Sequence, residues 1–406
     1  MTKMKKWVAV ALVATMVGGS LAACGSSDSS DDTDETTAET EAAEDTEASD
    51  DTEAADDTEA EEEDSSSDTS SSGETFTIGY NYYGEGSYAL DTLADNEKFV
   101  IEAFGNESMG LSDDFQVDKI IQDIENMISS GCDGVILWLP ADNLYETAIE
   151  LCTEAGVPFA FADKIPSDED LIAELLENEY FAGAVGPANA EYGTLTAEYA
   201  LEQGYTSCII SSGSEGDPTD TPRIEAFTEA FEAGGGEVVS VIYTDSNDNI
   251  QPYTENALIA NPDVDFVYGT GSDFGIGAAA AIENQGLDCA VLTAGLDSEA
   301  VELVASGEIE YIIGDFWISG IMAAVAMENY LIGNPLTDAD GNMVFVDDIM
   351  PFELTADDYD TFQTTFIDND FYSTEEIQAM SGISYDEFIE LIDNYSFEDR
   401  VAAQAE

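Results

Sequence analysis

The chain has 406 residues and carries 89 Asp and Glu against 8 Lys and Arg, which gives a formal charge of −81. Because nucleic acids and anionic membrane surfaces are bound through clustered Lys and Arg, this balance excludes both as general partners. The absence of histidine excludes Ser–His–Asp and Cys–His catalysis and imidazole metal sites. No metal and no cofactor are expected.

Residues 1–23 are predicted to be an export signal. The stretch "MTKMKKWVAVALVATMVGGSLAAC" has a basic start, a short apolar run and small residues before Cys24. Its ending, "LAAC", resembles the lipobox of bacterial lipoproteins, which implies that Cys24 becomes a lipidated N-terminus. An ordinary secretory signal with a coincidental cysteine is the alternative. We expect an exported protein on the outer face of the cytoplasmic membrane, attached to the membrane only through its lipid anchor.

Residues 24–74, from the lipidated cysteine onward, are predicted to be a disordered acidic tether. After Cys24 the segment consists of small, polar and acidic residues and has no large apolar side chain. It cannot bury enough surface to fold, and repulsion between its carboxylates should keep it extended. We interpret it as a spacer that holds the folded region away from the membrane.

From residue 75 onward, apolar runs of strand and helix type alternate. The runs "FTIGYNYYGEG" and "KFVIEAFGNE" predict strands, and "VDKIIQDIENMISSG" has its apolar residues on one helical face. The short apolar runs "GVILWLPADN" and "PFAFADK" are typical of buried parallel strands. The alternation restarts after "FAGAVG". Two such series predict an α/β fold with two doubly wound parallel-sheet lobes.

The residues at the predicted strand ends suit a neutral, polyhydroxylated ligand. Open parallel sheets bind ligands at the carboxyl ends of their strands. Carboxylates accept hydrogen bonds from hydroxyls, Lys and Arg donate them, and aromatic rings cover the C–H face of a sugar. Any one of these residues alone could be a solvated side chain or a helix cap. The convergence of several of them at strand ends indicates a binding site. The predicted ligand-binding residues are Asn81, Tyr82, Tyr83, Trp138, Asp163, Lys164, Arg223, Ser272, Asp273, Asp297 and Asp315.

Several ordered blocks resemble the ribose-type family of periplasmic solute-binding proteins of ABC importers. These blocks include "DKIIQDIENMISSGCDGVILWLPADN", "GVPFAFADK" and "GLDSEAVELVASGEIEYIIGDF", and the resemblance covers most of residues 76–335. It implies two lobes joined by three crossing strands, near Val185, Asp315 and Pro351, with the ligand in the cleft and closure about the hinge. The implied N-terminal lobe is 75–185 plus 316–350, and the C-terminal lobe with a helical tail is 186–315 plus 351–406.

The resemblance also implies roles for individual residues. It places the family's ligand-binding Asp on Asp163, the basic residue after it on Lys164, and the arginine of the second lobe on Arg223. The family's Asp after a late strand corresponds to Asp297 of this chain, and the family's amide residue in a hinge strand corresponds to Asp315. This chain differs from the family's pattern in the segments "GSD" and "TDSNDN", and these differences argue against ribose itself as the ligand. A sugar is expected, with a nucleoside or an autoinducer-type furanose as alternatives.

Three classes of function were compared. The prediction is a monomeric, non-catalytic lipoprotein that captures a sugar and delivers it to ABC permease subunits. A sensor that reports occupancy to a membrane receptor would share every binding residue. An exported carboxylate-dependent hydrolase has no specific signal, because paired carboxylates are unavoidable in so acidic a chain.

The positions of the remaining cysteines and cations lead to two further expectations. Because no CxxC spacing occurs and all four lie beside apolar segments, we expect buried thiols rather than disulfides. The remaining basic residues of the folded region are predicted to be surface or capping positions. The cysteines are Cys132, Cys152, Cys208 and Cys289, and the basic residues are Lys98, Lys119 and Arg400.

Overall fold

The computed structural model describes residues 75–244 and 246–405. The predicted signal, Cys24 and the acidic tether lie outside the described residues. In the described residues, helices alternate with strands that form two six-stranded sheets, so the predicted class of two parallel-sheet α/β lobes is confirmed.

The strands follow one another along the chain at short intervals. Most are four to seven residues long, the usual length for buried sheet strands. They are β1 (Thr77–Tyr82), β2 (Glu107–Ser112), β3 (Gly134–Leu137), β4 (Phe159–Ala162), β5 (Phe181–Pro187), β6 (Ser207–Ser212), β7 (Glu237–Tyr243), β8 (Phe266–Gly269), β9 (Ala290–Ala294), β10 (Tyr311–Gly314), β11 (Phe345–Ile349) and β12 (Phe352–Leu354).

The helices fill the intervals between strands and then form a C-terminal tail. They are α1 (Tyr88–Ala103), α2 (Val117–Ser130), α3 (Tyr145–Ala155), α4 (Glu169–Leu176), α5 (Asn189–Gln203), α6 (Asp220–Ala233), α7 (Asn247–Ala260), α8 (Ser272–Gln285), α9 (Ser298–Ser306), α10 (Ile318–Leu331), α11 (Tyr359–Phe362), α12 (Thr374–Ala379), α13 (Tyr385–Asp393) and α14 (Phe397–Gln404). Short 3-10 turns occupy Asp142–Leu144 and Ala356–Asp358, and a π-helical turn occupies Gln363–Ile367.

The two sheets have corresponding strand orders, and their strands are mostly parallel. The first lobe has the order β11–β5–β4–β3–β1–β2 and the second has β12–β10–β9–β8–β6–β7. All pairs are parallel except that β12 runs antiparallel to β10. The central strands β3 and β4 are buried at every position, as expected for strands covered on both faces.

One predicted strand is wrong. The run "KFVIEAF" forms the last two turns of α1, whose buried residues Leu93, Glu97, Val100 and Ile101 recur at helical spacing. The second strand is instead β2, the polar sequence "ESMGLS" at the edge of the sheet, with no buried residue. Short apolar runs are common to buried helices and strands, and a polar edge strand gives no hydrophobic signal.

Within the described residues the chain passes between the sheets three times. It leaves the first sheet after β5, returns between β10 and α10, and leaves again between β11 and β12. The second passage contains Phe316 and Trp317, whose φ angles of 55° and 54° lie in the left-handed region. The Asn96 amide of α1 donates to both of their carbonyl oxygens, at 3.2 and 3.1 Å, and holds this conformation.

The C-terminal tail contacts both lobes, whereas the prediction grouped residues 351–406 with the second lobe alone. Strand β12 does join the second sheet. Further on, α12 packs against α1 of the first lobe, where the Gln378 amide donates to the Ala103 carbonyl at 3.0 Å. Ile377 of α12 is also fully buried, in the same apolar cluster as Val100 and Ile101 of α1.

Arg400 was predicted to be a surface or capping residue, and it is buried. Its Nε donates to the Phe371 carbonyl at 2.9 Å and its Nη2 to Glu376 at 2.8 Å. The guanidinium also lies 3.7 Å from the centre of the Tyr372 ring. Arg400 therefore ties α14 to the start of α12.

The four cysteines of the described region are free thiols, as predicted. Cys132, Cys152 and Cys208 are buried, and Cys289 is partly exposed. Burial raises the pKa of the Cys152 thiol to about 12, so it stays protonated at neutral pH. In the part of the chain that the structure describes, every helix is too short or too polar to span a membrane.

Asn329 of α10 offers a test of how the tail is docked. It is fully buried, its Nδ2 donates to the Val325 and Met380 carbonyls at 2.9 Å each, and its Oδ1 accepts from the Gly382 amide at 2.8 Å. Asn329→Leu keeps the volume but leaves two tail groups without partners. We expect a loss of about 2–4 kcal/mol in the free energy of unfolding.

Urea denaturation measures this loss. Asn284→Leu is the control, because Asn284 is exposed and its amide bonds only to the exposed side of Glu255, at 2.7 Å. It should change stability by less than about 0.5 kcal/mol. Equal midpoints for the two variants would contradict docking of the tail through Asn329.

Candidate functional site

A cavity of about 810 Å³ lies between the two lobes, where the strands of both sheets end. Trp138 and Asp163 directly follow β3 and β4 of the first lobe, and Thr270 follows β8 of the second. Asp315 follows β10 at the second passage between the lobes. Of the predicted ligand-binding residues, the cavity brings together Tyr83, Trp138, Asp163, Lys164, Arg223, Ser272, Asp273 and Asp315.

Trp138 and Asp163 form the first-lobe wall of the cavity. The indole Nε1 of Trp138 donates to Asp163 Oδ2 at 2.9 Å, and the ring of Tyr83 stacks on the indole with centroids 5.4 Å apart. Asp163 has a φ of 63°, a left-handed conformation that is strained for a residue other than glycine. This wall therefore presents a carboxylate beside an aromatic surface.

Asn81 does not line the cavity, and it positions Trp138 instead. Its side chain is 1% exposed. Its Oδ1 accepts from the Trp138 amide at 3.0 Å, and its Nδ2 donates to the Trp138 carbonyl at 3.0 Å and to Asp113 at 2.8 Å. Burial raises the pKa of Asp113 to about 7, and the bond from Asn81 opposes that shift.

Arg223 is held rigidly on the second-lobe side. Its Nε donates to Asn189 Oδ1 at 2.9 Å and its Nη1 to the Thr270 carbonyl at 2.8 Å, while its guanidinium lies 4.1 Å from the centre of the Tyr192 ring. Helices α5 and α6 approach closely at Gly193, where a Cβ would lie 2.2 Å from the Arg223 carbonyl oxygen. Glycine is needed there to bring Tyr192 under the guanidinium.

Asp315 supplies a buried acceptor at the junction of the lobes. It is 5% exposed. Its Oδ1 accepts from the Trp317 amide at 3.1 Å, and among the described residues Oδ2 has no hydrogen-bond donor. Burial, and then the neighbouring Asp163 carboxylate, raise the pKa of Asp315 to about 6, while the Trp317 amide, the Tyr192 hydroxyl and the Arg223 guanidinium oppose that shift. A donor brought by a ligand would satisfy Oδ2 and favour the ionised carboxylate.

Lys164 contacts the opposite lobe. Its ammonium donates to Thr219 Oγ1 and lies 3.5 Å from Asp217 Oδ1, both on the loop before α6. It also lies 5.6 Å from the centre of the Trp138 ring. The resemblance implied that Lys164 donates into the cleft. In the structure it lines the cavity, and its ammonium is engaged in a link between the two lobes.

Two further predicted residues lie outside this cavity. The Tyr82 hydroxyl donates to Glu85 at 3.3 Å, away from the cleft. Asp297 caps α9 by accepting from the Glu299 amide at 2.8 Å, and it lines a second cavity of about 550 Å³. Burial raises the pKa of Asp297, and hydrogen bonds from backbone amides oppose that shift.

Tyr192 and Asn189 were missed because only strand ends were considered. Both lie in the first turn of α5, just after the chain leaves the first sheet at β5. Neither has a distinctive spacing or motif. The one available signal was their position directly after a predicted crossing, where side chains of the next helix face the junction of the lobes.

The cavity is strongly acidic. Among the described residues that line it, seven carboxylates face two cations, and both cations are already bonded to protein acceptors. Such a field repels anions, which disfavours phosphorylated or acidic ligands. The carboxylates are Asp142, Asp163, Glu215, Asp217, Asp220, Asp273 and Asp315, and the cations are Lys164 and Arg223.

A family model described as a periplasmic binding protein domain matches residues 98–335, more than half of the chain. In a comparison with curated proteins, none matches.

Solved structures share the fold at low sequence identity. A Mycobacterium smegmatis protein in complex with β-D-fucofuranose has a TM-score of 0.63 at 16% identity and covers 75% of this chain and 98% of its own. A Bacillus halodurans solute-binding protein of an ABC transporter, with bound myo-inositol, has a TM-score of 0.62 at 18% identity and covers 72% of this chain and 99% of its own. A periplasmic ribose ABC transporter protein from Conexibacter woesei has a TM-score of 0.60 at 20% identity and covers 71% of this chain and 95% of its own.

The link between Lys164 and Asp217 can be measured by a double-mutant cycle. We expect Lys164→Met and Asp217→Asn to be coupled by about 0.5–1 kcal/mol in the free energy of unfolding, because the pair is partly shielded from water. Lys98→Met, at an exposed lysine of the same lobe, is the control and should show no coupling with Asp217→Asn. Additive effects in the first cycle would mean that the ion pair does not join the lobes.

Proposed function

We propose that this chain, which belongs to the periplasmic binding protein domain family, captures a neutral sugar or sugar-like polyol in the cavity between its lobes. The family is one of solute-binding proteins rather than enzymes. The observation that carries the proposal is the buried Asp315 Oδ2, which has no donor in the described residues and lies in a cavity lined by Asp163, Arg223 and Trp138.

These groups match the chemistry of a sugar. Hydroxyls donate to carboxylates such as Asp163 and Asp315, and the guanidinium of Arg223 donates to hydroxyl or ring oxygens. The stacked rings of Tyr83 and Trp138 offer an apolar surface for C–H groups. The seven carboxylates of the lining favour a neutral ligand over an anionic one. β-D-Fucofuranose and myo-inositol, found in two structural neighbours, are ligands of this chemical type.

Binding is proposed to be coupled to closure of the lobes. Asp163 belongs to the first lobe, Arg223 to the second, and Asp315 to a passage between them. A ligand that touches all three stabilises the arrangement in which they converge, and the Lys164 link to Asp217 favours the same arrangement.

The captured solute is proposed to be delivered to the permease of an ABC importer by a lipid-anchored protein. The basic start, apolar run and "LAAC" of residues 1–24 support lipidation at Cys24, and the acidic segment that follows would act as the spacer. Structural neighbours from ABC transporters support the delivery step.

Isothermal titration of the full chain against monosaccharides, polyols and nucleosides tests capture. We expect a sugar or polyol to bind, and Asp163→Ala and Arg223→Ala each to weaken it at least tenfold, about 1.4 kcal/mol. Ligand at about 100 times its Kd should also add about 2.7 kcal/mol of stability.

The control for this test is Glu146→Ala, which removes an exposed carboxylate of α3 outside the cavity and should leave affinity unchanged. Unchanged affinity in both cavity variants would show that the ligand binds elsewhere. Binding of nucleosides alone would contradict the sugar assignment.

Cell fractionation tests the anchor. We expect Cys24→Ala to move the protein from the membrane fraction to the soluble exported fraction, because the thiol that carries the lipid is lost. Cys289→Ala changes a different thiol and should stay in the membrane fraction. Retention of Cys24→Ala in the membrane would contradict lipidation at this position.

A further inference from the structure

A second cavity, which we call the rim cavity, adjoins the cavity between the lobes. It has a volume of about 550 Å³ and shares Tyr83, Ser87 and Asp273 with the main cavity. The residues that it adds include Phe115 from the first lobe and Asn247 and Asp297 from the second. The two cavities therefore adjoin at the three shared residues, with Asp315 lining the first cavity and Phe115 the second.

We infer that the ligand of this protein contains at least two rings, with the first in the main cavity and the second against Phe115 in the rim cavity. This inference rests on the proposed capture of a sugar and narrows the ligand to a disaccharide, a longer oligosaccharide or a glycoside with a cyclic substituent.

The volume of the main cavity is the first support. A hexose has about twelve non-hydrogen atoms, and at the roughly 30 Å³ that a water molecule occupies in the liquid, these fill at most about 360 Å³. The main cavity alone is about 810 Å³. The main cavity therefore has room for a ligand longer than one hexose ring, and Lys164 already joins the lobes at one side.

The position of that link determines where a longer ligand extends. Lys164, Asp217 and Thr219 line the main cavity but not the rim cavity. Their contact spans the lobes on one side of the main cavity. A ligand longer than one ring therefore extends towards Tyr83 and Phe115, on the side where the rim cavity adjoins.

Phe115 presents an aromatic surface in the rim cavity. Its side chain is 52% exposed, which is unusual for so large an apolar residue. Its ring meets that of Tyr83 edge to face with centroids 5.6 Å apart, and Tyr83 in turn stacks on Trp138. Gly84 makes room for it, since a Cβ at Gly84 would lie 2.4 Å from the Phe115 ring. The three rings form a continuous aromatic surface from the main cavity to the rim.

The backbone that carries Phe115 is fixed by a lysine. Asp114 and Phe115 have φ angles of 52° and 57°, both left-handed. The Lys119 ammonium donates to the Ser112 carbonyl, and it lies 3.1 Å from Asp114 and 3.3 Å from Asp123. An exposed aromatic ring is thus held in place by one of the few cations of the chain, as expected for a preorganised contact surface.

The opposite wall of the rim cavity supplies hydrogen-bonding groups. The Asn247 amide donates to Asp273 Oδ2 at 2.8 Å, and Asp297 and Glu299 lie at the start of α9. These groups accept bonds from hydroxyls, and Phe115 faces them across the cavity with an apolar ring. A second sugar ring needs the same pairing of a stacking face and polar edges.

Isothermal titration of the full chain with matched pairs tests the inference. The pairs are glucose with maltose and cellobiose, and galactose with lactose and melibiose, with the methyl glycosides as single-ring controls for the blocked anomeric hydroxyl. We expect at least one disaccharide to bind at least tenfold more tightly than its single-ring components. Phe115→Ala should remove that advantage by weakening the disaccharide at least tenfold more than the single-ring ligand, and Phe115→Tyr should restore it.

Tyr253→Ala is the matched control, because Tyr253 is an aromatic residue of similar exposure, 44%, on α7 outside both cavities. It should leave the disaccharide affinity unchanged. Single-ring sugars that bind as tightly as the disaccharides, or a Phe115→Ala effect equal to that of Tyr253→Ala, would overturn the inference and leave sugar capture standing. A complete lack of carbohydrate binding would overturn both.

Discussion

The second passage between the lobes constrains the junction of the lobes, the main cavity and the C-terminal tail together. Phe316 and Trp317 both adopt the left-handed conformation, which costs about 1–3 kcal/mol for each residue that is not glycine. The conformation persists because Asn96 binds both carbonyls, Tyr395 donates to the Asp315 carbonyl, and the Phe316 ring packs against Phe362, Phe366 and Phe371. The tail thus supports the backbone that places the Asp315 carboxylate in the cavity.

Four of the five cations of the described region lie where separate parts of the chain meet, and the fifth, Lys98, is exposed. Lys119 fixes the loop that carries Phe115, and Lys164 joins the two lobes. Arg223 joins α6 to α5 and β8, and Arg400 joins α14 to α12. In a chain of formal charge −81, carboxylates repel one another across every such junction. A cation there removes repulsion and adds hydrogen bonds, so its position is informative about which elements come together.

The sequence predicted those features that follow from periodicity and strand-end chemistry. Buried strands such as β3 and β4 end in Trp138 and Asp163, and the cavity includes both. The strand β2 was missed because it is polar, and the partner of Lys164 was missed because Asp217 lies far along the chain in the other lobe. Asn81 looked like a ligand-binding residue, since a strand-end amide that orders Trp138 has the same sequence signature as one that meets a ligand.

The side chains that line the main cavity are divided between the two lobes. The first lobe holds Trp138 and Asp163 in place through Asn81 and needs no ligand to do so. The second lobe holds Arg223 in place through Asn189 and Thr270. Each of these groups is thus held by hydrogen bonds within its own lobe. Asp315 Oδ2 lies buried at their junction without a donor in the described residues, so the proposed ligand is expected to donate to it while contacting both lobes. In the proposed function, closure of the lobes around the ligand is the change of shape by which a permease would recognise the loaded protein.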